Sequence, residues 1–138
     1  MAVPDSHPWM ETDSERLMHE GVATGAATFE LFLQELGWTR DGIDKTFCHQ
    51  VGVAHRRLLL EQLQLDPRRD YATVEWLGNT GSAALPVTMA LGCENGQLRE
   101  GDRVAMLGIG SGINCLMLGV HWQRSLRECD GVADRCYS

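Results

Sequence analysis

Short apolar runs alternate with amphipathic stretches along this 138-residue sequence, an order that few architectures accommodate. The run 45–51 carries Phe47, Cys48 and Val51 and gives way at Gly52; the run 71–77 carries Tyr71, Val74 and Trp76 and gives way at Gly78. A third run, 102–107, gives way at Gly108. Each is read as a short strand closed by a residue that frees the backbone to turn. The spacing between them predicts helices. Val22, Ala26, Phe29, Phe32, Leu33 and Leu36 recur at three- and four-residue intervals behind a Thr12/Glu15 capping box, and Gly37 supplies the stop. Gly21 and Gly25 inside that helix each cost about 1 kcal/mol against alanine, which predicts close backbone packing there, against another element or subunit. A second helix runs from Gly52 to about Leu63, with Ala54, Leu58, Leu59 and Leu63 inward and Arg56, Arg57, Glu61 and Gln62 outward. From Ser82, the small and apolar residues Ala83, Ala84, Leu85, Val87, Met89, Ala90 and Leu91 predict a tightly packed buried helix. Pro86 falls in its first turns, where the missing N–H costs least.

A last apolar strand, 113–122, follows 102–107 across Gly108-Ile109-Gly110-Ser111-Gly112, a link short enough to favour an antiparallel hairpin. The order helix, strand, helix, strand, helix, strand, strand is that of an α/β fold: a mixed, mostly parallel sheet with right-handed crossovers, an antiparallel C-terminal hairpin and helices on its faces. At 43% hydrophobic, the chain suits one domain. Residues 1–11 read as a flexible lead-in, 12–122 as the folded part and 123–138 as a polar tail. Twelve basic against 19 acidic residues leave a net charge of -7, which disfavours nucleic acid and anionic membrane surfaces as partners. No apolar run approaches the roughly 20 residues of a membrane span. The first twenty residues carry five carboxylates and lack the order of a secretory signal, so a cytoplasmic location is expected. Five cysteines without C-x-x-C spacing argue against a zinc ribbon and a complete disulfide framework. Cys48, Cys93 and Cys115 sit in apolar contexts and are expected as small buried hydrophobes, leaving Cys129 and Cys136 in the tail as the one pair able to bond.

Two polar side chains stand at strand ends, His49 near the end of 45–51 and Asn79 just past 71–77. Ligands gather beyond the C-terminal ends of strands in such sheets, and one strand-helix-strand crossover separates the two residues. A histidine N–H and an asparagine NH₂ aimed at one spot would stabilise a developing oxyanion or enolate without either acting as nucleophile. Spacing alone leaves a second account open, in which His49 is a satisfied core histidine and Asn79 a turn residue tolerant of left-handed backbone. Gly110, Ser111 and Gly112 would offer backbone N–H groups to a substrate, although hairpin geometry also explains them, and they match neither a Walker loop nor a dinucleotide fingerprint. Cys48 beside His49 makes neither a metal pair nor a nucleophile-base pair, because adjacent strand residues point to opposite faces. Arg56 and Arg57 would meet an acidic carrier or a coenzyme phosphate, or simply form a solvated helix face.

Three motifs taken together carry a resemblance: His49-Gln50; Gly78-Asn79-Thr80 followed by Ser82-Ala83-Ala84; and Gly108-Ile109-Gly110-Ser111-Gly112. In order and spacing they resemble the C-terminal half of thiolase-fold condensing enzymes of the β-ketoacyl-(acyl carrier protein) synthase III kind, over about Met18 to Trp122. Where many members read His-Gln-Ala-Asn this chain has His49-Gln50-Val51-Gly52, and Gly81 is an extra glycine before Ser82. Those forms, with the run 112–122, are more similar to the branch that condenses two long-chain acyl-CoA thioesters head to head in bacterial olefin synthesis. The resemblance implies a C-terminal half of a thiolase-like fold. In that half His49 and Asn79 bind the thioester oxygen of the second acyl unit and stabilise its enolate during Claisen condensation. It implies an acyl-CoA or acyl-carrier-protein thioester as substrate, no cofactor and no metal. The acylated cysteine belongs to an N-terminal half that this chain lacks, so a homo-oligomer or a complex with a cysteine-bearing half is expected. A non-catalytic binding or scaffold subunit retaining the half-fold is the rival, and a stand-alone thioesterase using His49 as base a third possibility.

Overall fold

A computed structural model of the protein describes residues 13–110 and 112–123. The first element, α1 (Ser14–Leu36), starts at Asp13, whose carboxylate accepts from the Arg16 N–H at 3.0 Å. This cap lies one residue beyond the expected Thr12, which is outside the described residues. Gly37 ends the helix in the left-handed conformation (φ 61°), as its position predicted. There follow β1 (Lys45–Cys48), α2 (Val53–Leu63), a one-turn helix α3 (Val74–Leu77), α4 (Ala84–Glu94), β2 (Arg103–Gly110) and β3 (Asn114–His121).

The strands form one mixed sheet in the order β1-β2-β3, with β1 parallel to β2 and β2 antiparallel to β3. Alternation sorts the sheet's side chains between two helical layers. Cys48, Ala105, Leu107 and Met117 pack with Phe29, Phe32 and Leu33 of α1 and Leu59, Leu60 and Leu63 of α2. Phe47, Val104, Met106 and Val120 pack with Leu85, Met89 and Cys93 of α4. The result is an α/β/α sandwich whose β1-to-β2 crossover carries α2, α3 and α4. The glycines of α1 do not mark the close backbone packing expected of them: a Cβ at Gly21 would lie 3.5 Å from the Ile109 side chain and one at Gly25 3.5 Å from that of Leu59, both ordinary contact distances.

Four further expectations are corrected. The run 71–77 is not a strand. Asp70, just before it, makes one parallel bridge to Thr46, and the run then coils into α3, because the N–H groups of Thr73 and Val74 find an acceptor in the Gln50 side chain rather than in a neighbouring strand. The inward face of α2 is His55, Leu59, Leu60 and Leu63, while Ala54 is exposed and Leu58 half-buried. Helix α4 buries one narrow stripe, Ala84, Thr88 and Gly92, where a Cβ on Gly92 would stand 2.5 Å from the Phe47 ring. Pro86, Val87 and Ala90 face outward, uncovered by any described element. The glycine-rich link is shorter than expected. Gly108, Ile109 and Gly110 belong to β2, paired with Leu116, Cys115 and Asn114, since glycine in a two-stranded ladder costs less than opening it. Residues 1–11 and all but the first residue of the tail, with Cys129 and Cys136, lie outside the described residues.

Candidate functional site

His49 sits one residue past β1, where its N–H donates to the Leu107 carbonyl at 2.9 Å and so extends the parallel pairing without a further strand residue. Its imidazole is half-buried, and desolvation holds it below its ordinary pKa, so it is neutral at physiological pH. A neutral imidazole offers one N–H donor and no competing charge.

Asn79 follows Gly78, whose backbone (φ 66°, ψ -157°) turns the chain out of α3. The Asn79 Oδ1 accepts from the Gly81 N–H at 2.9 Å, an Asx turn. With the oxygen engaged, the NH₂ is the end of the amide left for a ligand. Asn79 therefore reaches the sheet's C-terminal end from a helical turn, not from the strand that its sequence suggested.

Both residues line one cavity of about 420 Å³, together with Gly110, the last residue of β2. The remaining walls are Leu17, Met18 and Gly21 of α1, Val51, His55, Ile109 and Ile113. Apolar walls with a few convergent polar groups suit a ligand with a hydrocarbon body and one polar centre. Of the other loop residues, Ser111 lies outside the described residues, and Gly112 is an exposed turn residue (φ 119°) beyond the cavity wall.

Sequence reasoning did not anticipate His55 in this wall. It is 7% exposed, and its Nδ1 is buried without a hydrogen-bond partner among the described residues. Desolvation lowers its pKa, and the nearby His49 lowers it further. Its six-residue offset from His49 gave no signal, because the direction of α2 leaving β1 is a tertiary property. Arg56, expected on a solvated face, instead donates through Nε to Asp70 at 2.6 Å and through Nη2 to the Asp70 carbonyl at 3.2 Å. That carboxylate also accepts from Thr46 at 2.9 Å, and its desolvation in this interior pulled Arg56 inward. Arg57 is exposed. None of the described cysteines lines the cavity. Cys48 is buried, Cys93 and Cys115 half-buried, and desolvation raises the pKa of all three thiols, most at Cys48 beside Asp70. None is poised as a thiolate.

Residues 33–122 match the family described as 3-oxoacyl-(acyl-carrier-protein (ACP)) synthase III, C terminal. Acyl-CoA:acyl-CoA alkyltransferase of Shewanella oneidensis is 45% identical over 114 residues, which are 83% of this chain and 33% of that protein. The crystal structure of Xanthomonas campestris OleA with bound lauric acid and lauroyl-CoA superposes with a TM-score of 0.77 at 37% identity, over 80% of this chain and 33% of that one. 3-Oxoacyl-(acyl carrier protein) synthase III of Pseudomonas aeruginosa PAO1 shares the fold at a TM-score of 0.80 and 22% identity, over 91% of this chain and 39% of that one. The chain thus spans about a third of the length of the curated relatives it matches.

Proposed function

The chain belongs to the 3-oxoacyl-(acyl-carrier-protein) synthase III family as a C-terminal portion, and from that premise we propose that its cavity is the histidine-asparagine half of an acyl-thioester condensing site. The observation that carries the proposal is the convergence of His49 and Asn79 on one apolar cavity, one with a neutral N–H and the other with a free NH₂.

The two donors hold the carbonyl oxygen of an acyl-CoA or acyl-carrier-protein thioester. Among the described residues no carboxylate lines the cavity, so a base brought by the cysteine-bearing half takes a proton from the α-carbon; the negative charge moves onto that oxygen, and the same hydrogen bonds strengthen. The enolate carbon then attacks an acyl-cysteine carbonyl, a carbon–carbon bond forms, and the cysteine leaves as thiolate. The walls of Leu17, Met18, Val51, Ile109 and Ile113 take the hydrocarbon part. No step calls for a cofactor or a metal.

Because none of the described cysteines faces the cavity, the nucleophile enters from a cysteine-bearing N-terminal half. A complex with that half, or a homo-oligomer, and a cytoplasmic location belong to the same proposal. Among the described residues no helix is long and apolar enough to cross a membrane. The same lack of a cavity-facing cysteine among the described residues fits one alternative, a non-catalytic binding subunit on the same half-fold.

A mixing experiment separates the two. The chain is combined with a cysteine-bearing N-terminal half and acyl-CoA, and β-keto acid or ketone is measured. Product is expected, and His49→Ala or Asn79→Asp is expected to lower kcat by roughly a hundred- to a thousandfold, the usual loss on removing an oxyanion donor. Unchanged turnover in His49→Ala would sink the assigned role, and no product from the unaltered chain would favour the binding subunit.

A further inference from the structure

Gln50 is 2% exposed and adjoins His49, yet its side chain turns away from the cavity and into the interior. Its Nε2 donates to the Cys48 carbonyl at 2.6 Å. Its Oε1 accepts from the N–H of Thr73 at 3.0 Å and of Val74 at 2.9 Å. These are the first amides of α3, whose cap residue Thr73 makes no side-chain cap of its own. The Thr73 hydroxyl lies 2.6 Å from that of Thr88 in α4, and Thr88 donates its one hydrogen to the Ala84 carbonyl at 2.7 Å. Thr73 is therefore the donor to Thr88. A continuous buried chain of hydrogen bonds thus ties the end of β1 to α3 and α3 to α4. Thr73 is 2% exposed and Thr88 0%.

We infer that Gln50 is a positioning residue, which sets the distance between His49 and Asn79 through the Gln50-Thr73-Thr88 brace. The N–H of Gly78 returns to the Val74 carbonyl at 3.1 Å, so the turn that launches Asn79 hangs from the amides that Gln50 holds. Apolar side chains would fill the same space without desolvating three polar groups. What the polar set adds is register: two catalytic donors on different elements are locked to one short side chain between them. The functional consequence rests on the condensing-site proposal, whereas the brace itself does not.

Amide hydrogen exchange on the 138-residue chain tests the brace. In Gln50→Met, which keeps the length of the side chain but accepts neither amide, exchange at Thr73 and Val74 is expected to quicken about tenfold or more. Gly81, whose N–H reports the Asn79 turn, is expected to quicken with them, while His49, bonded to Leu107, holds. Gln50→Glu at acidic pH, with its carboxyl protonated, restores both the donor and the acceptor and is expected to return Gly81 to the unaltered rate. Where Gln50→Met loosens the whole fold, Thr88→Val cuts the brace at its other end and is expected to move Gly81 as well. A Gly81 rate unmoved in these variants overturns the inference. In the complex with a cysteine-bearing half, Gln50→Met is expected to lower kcat on the order of tenfold or more with KM little changed. No product from the unaltered complex would refute the condensing site and leave amide exchange to decide the brace alone.

Discussion

At the scale of single residues, the cavity is defined by what its two histidines avoid. His49 and His55 both have lowered pKa values, His49 through desolvation and His55 through desolvation and then through His49. Each contributes a pH dependence of known sign. The unfolded chain protonates a histidine below about pH 6.5, whereas the folded one resists until lower pH. Below that value the unfolded state binds more protons, so the stability contribution is complete above about 6.5 and is lost as pH falls. The thermal midpoint is therefore expected to drop between pH 7 and pH 5, and less steeply in His55→Gln than in the unaltered chain. Equal slopes would show that His55 does not titrate differently in the two states.

At the scale of elements, two contacts decide how the helices sit on the sheet. The Arg56–Asp70 pair joins α2 to the segment beside β1, with the Asp70 side chain wholly buried and that of Arg56 24% exposed. Removing one partner strands the other. Arg56→Met is expected to cost about 3 kcal/mol near neutral pH, the low end for a broken buried pair because Arg56 is partly solvated. Desolvation already raises the pKa of Asp70, so the cost is expected to shrink in acid, where its carboxyl protonates. Denaturant unfolding of the variant at two pH values reads both effects. Helix α1 offers the opposite change. A Cβ on Gly25 would meet Leu59 at ordinary contact distance, 3.5 Å. Gly25→Ala is expected to raise stability by up to about 1 kcal/mol, visible as a higher melting temperature.

At the scale of the whole molecule, apolar surface is left open. Leu116 is 69% exposed and Leu118 50% on β3, which is an edge strand of the described sheet, and Trp76 is 60% exposed on α3. Exposed apolar side chains along a free strand edge are a template for association. Gel filtration of the chain is expected to give a mass above the monomer's 15.3 kDa, and Leu116→Lys/Leu118→Lys to shift it toward the monomer. A monomeric unaltered chain would count against a half-fold that needs covering.

Local chemistry determined much of this protein. Periodicity placed α1, α2, α4 and the β2-β3 hairpin, because each is organised by neighbours within a turn or a ladder. The order of His49, Asn79 and the glycines of 108–112 was enough to carry the family. Only the tertiary structure decided the rest. The run 71–77 has a strand's composition, but two of its amides meet the Gln50 side chain and coil instead. Arg56 has a solvated residue's composition, but a buried carboxylate lies beside it. His55 entered the cavity wall because α2 leaves β1 in the direction that its packing on α1 and β2 allows. In each case the deciding partner is distant in sequence, and local propensity, worth a few tenths of a kcal/mol per residue, yields to a buried hydrogen bond worth about 1 kcal/mol or more.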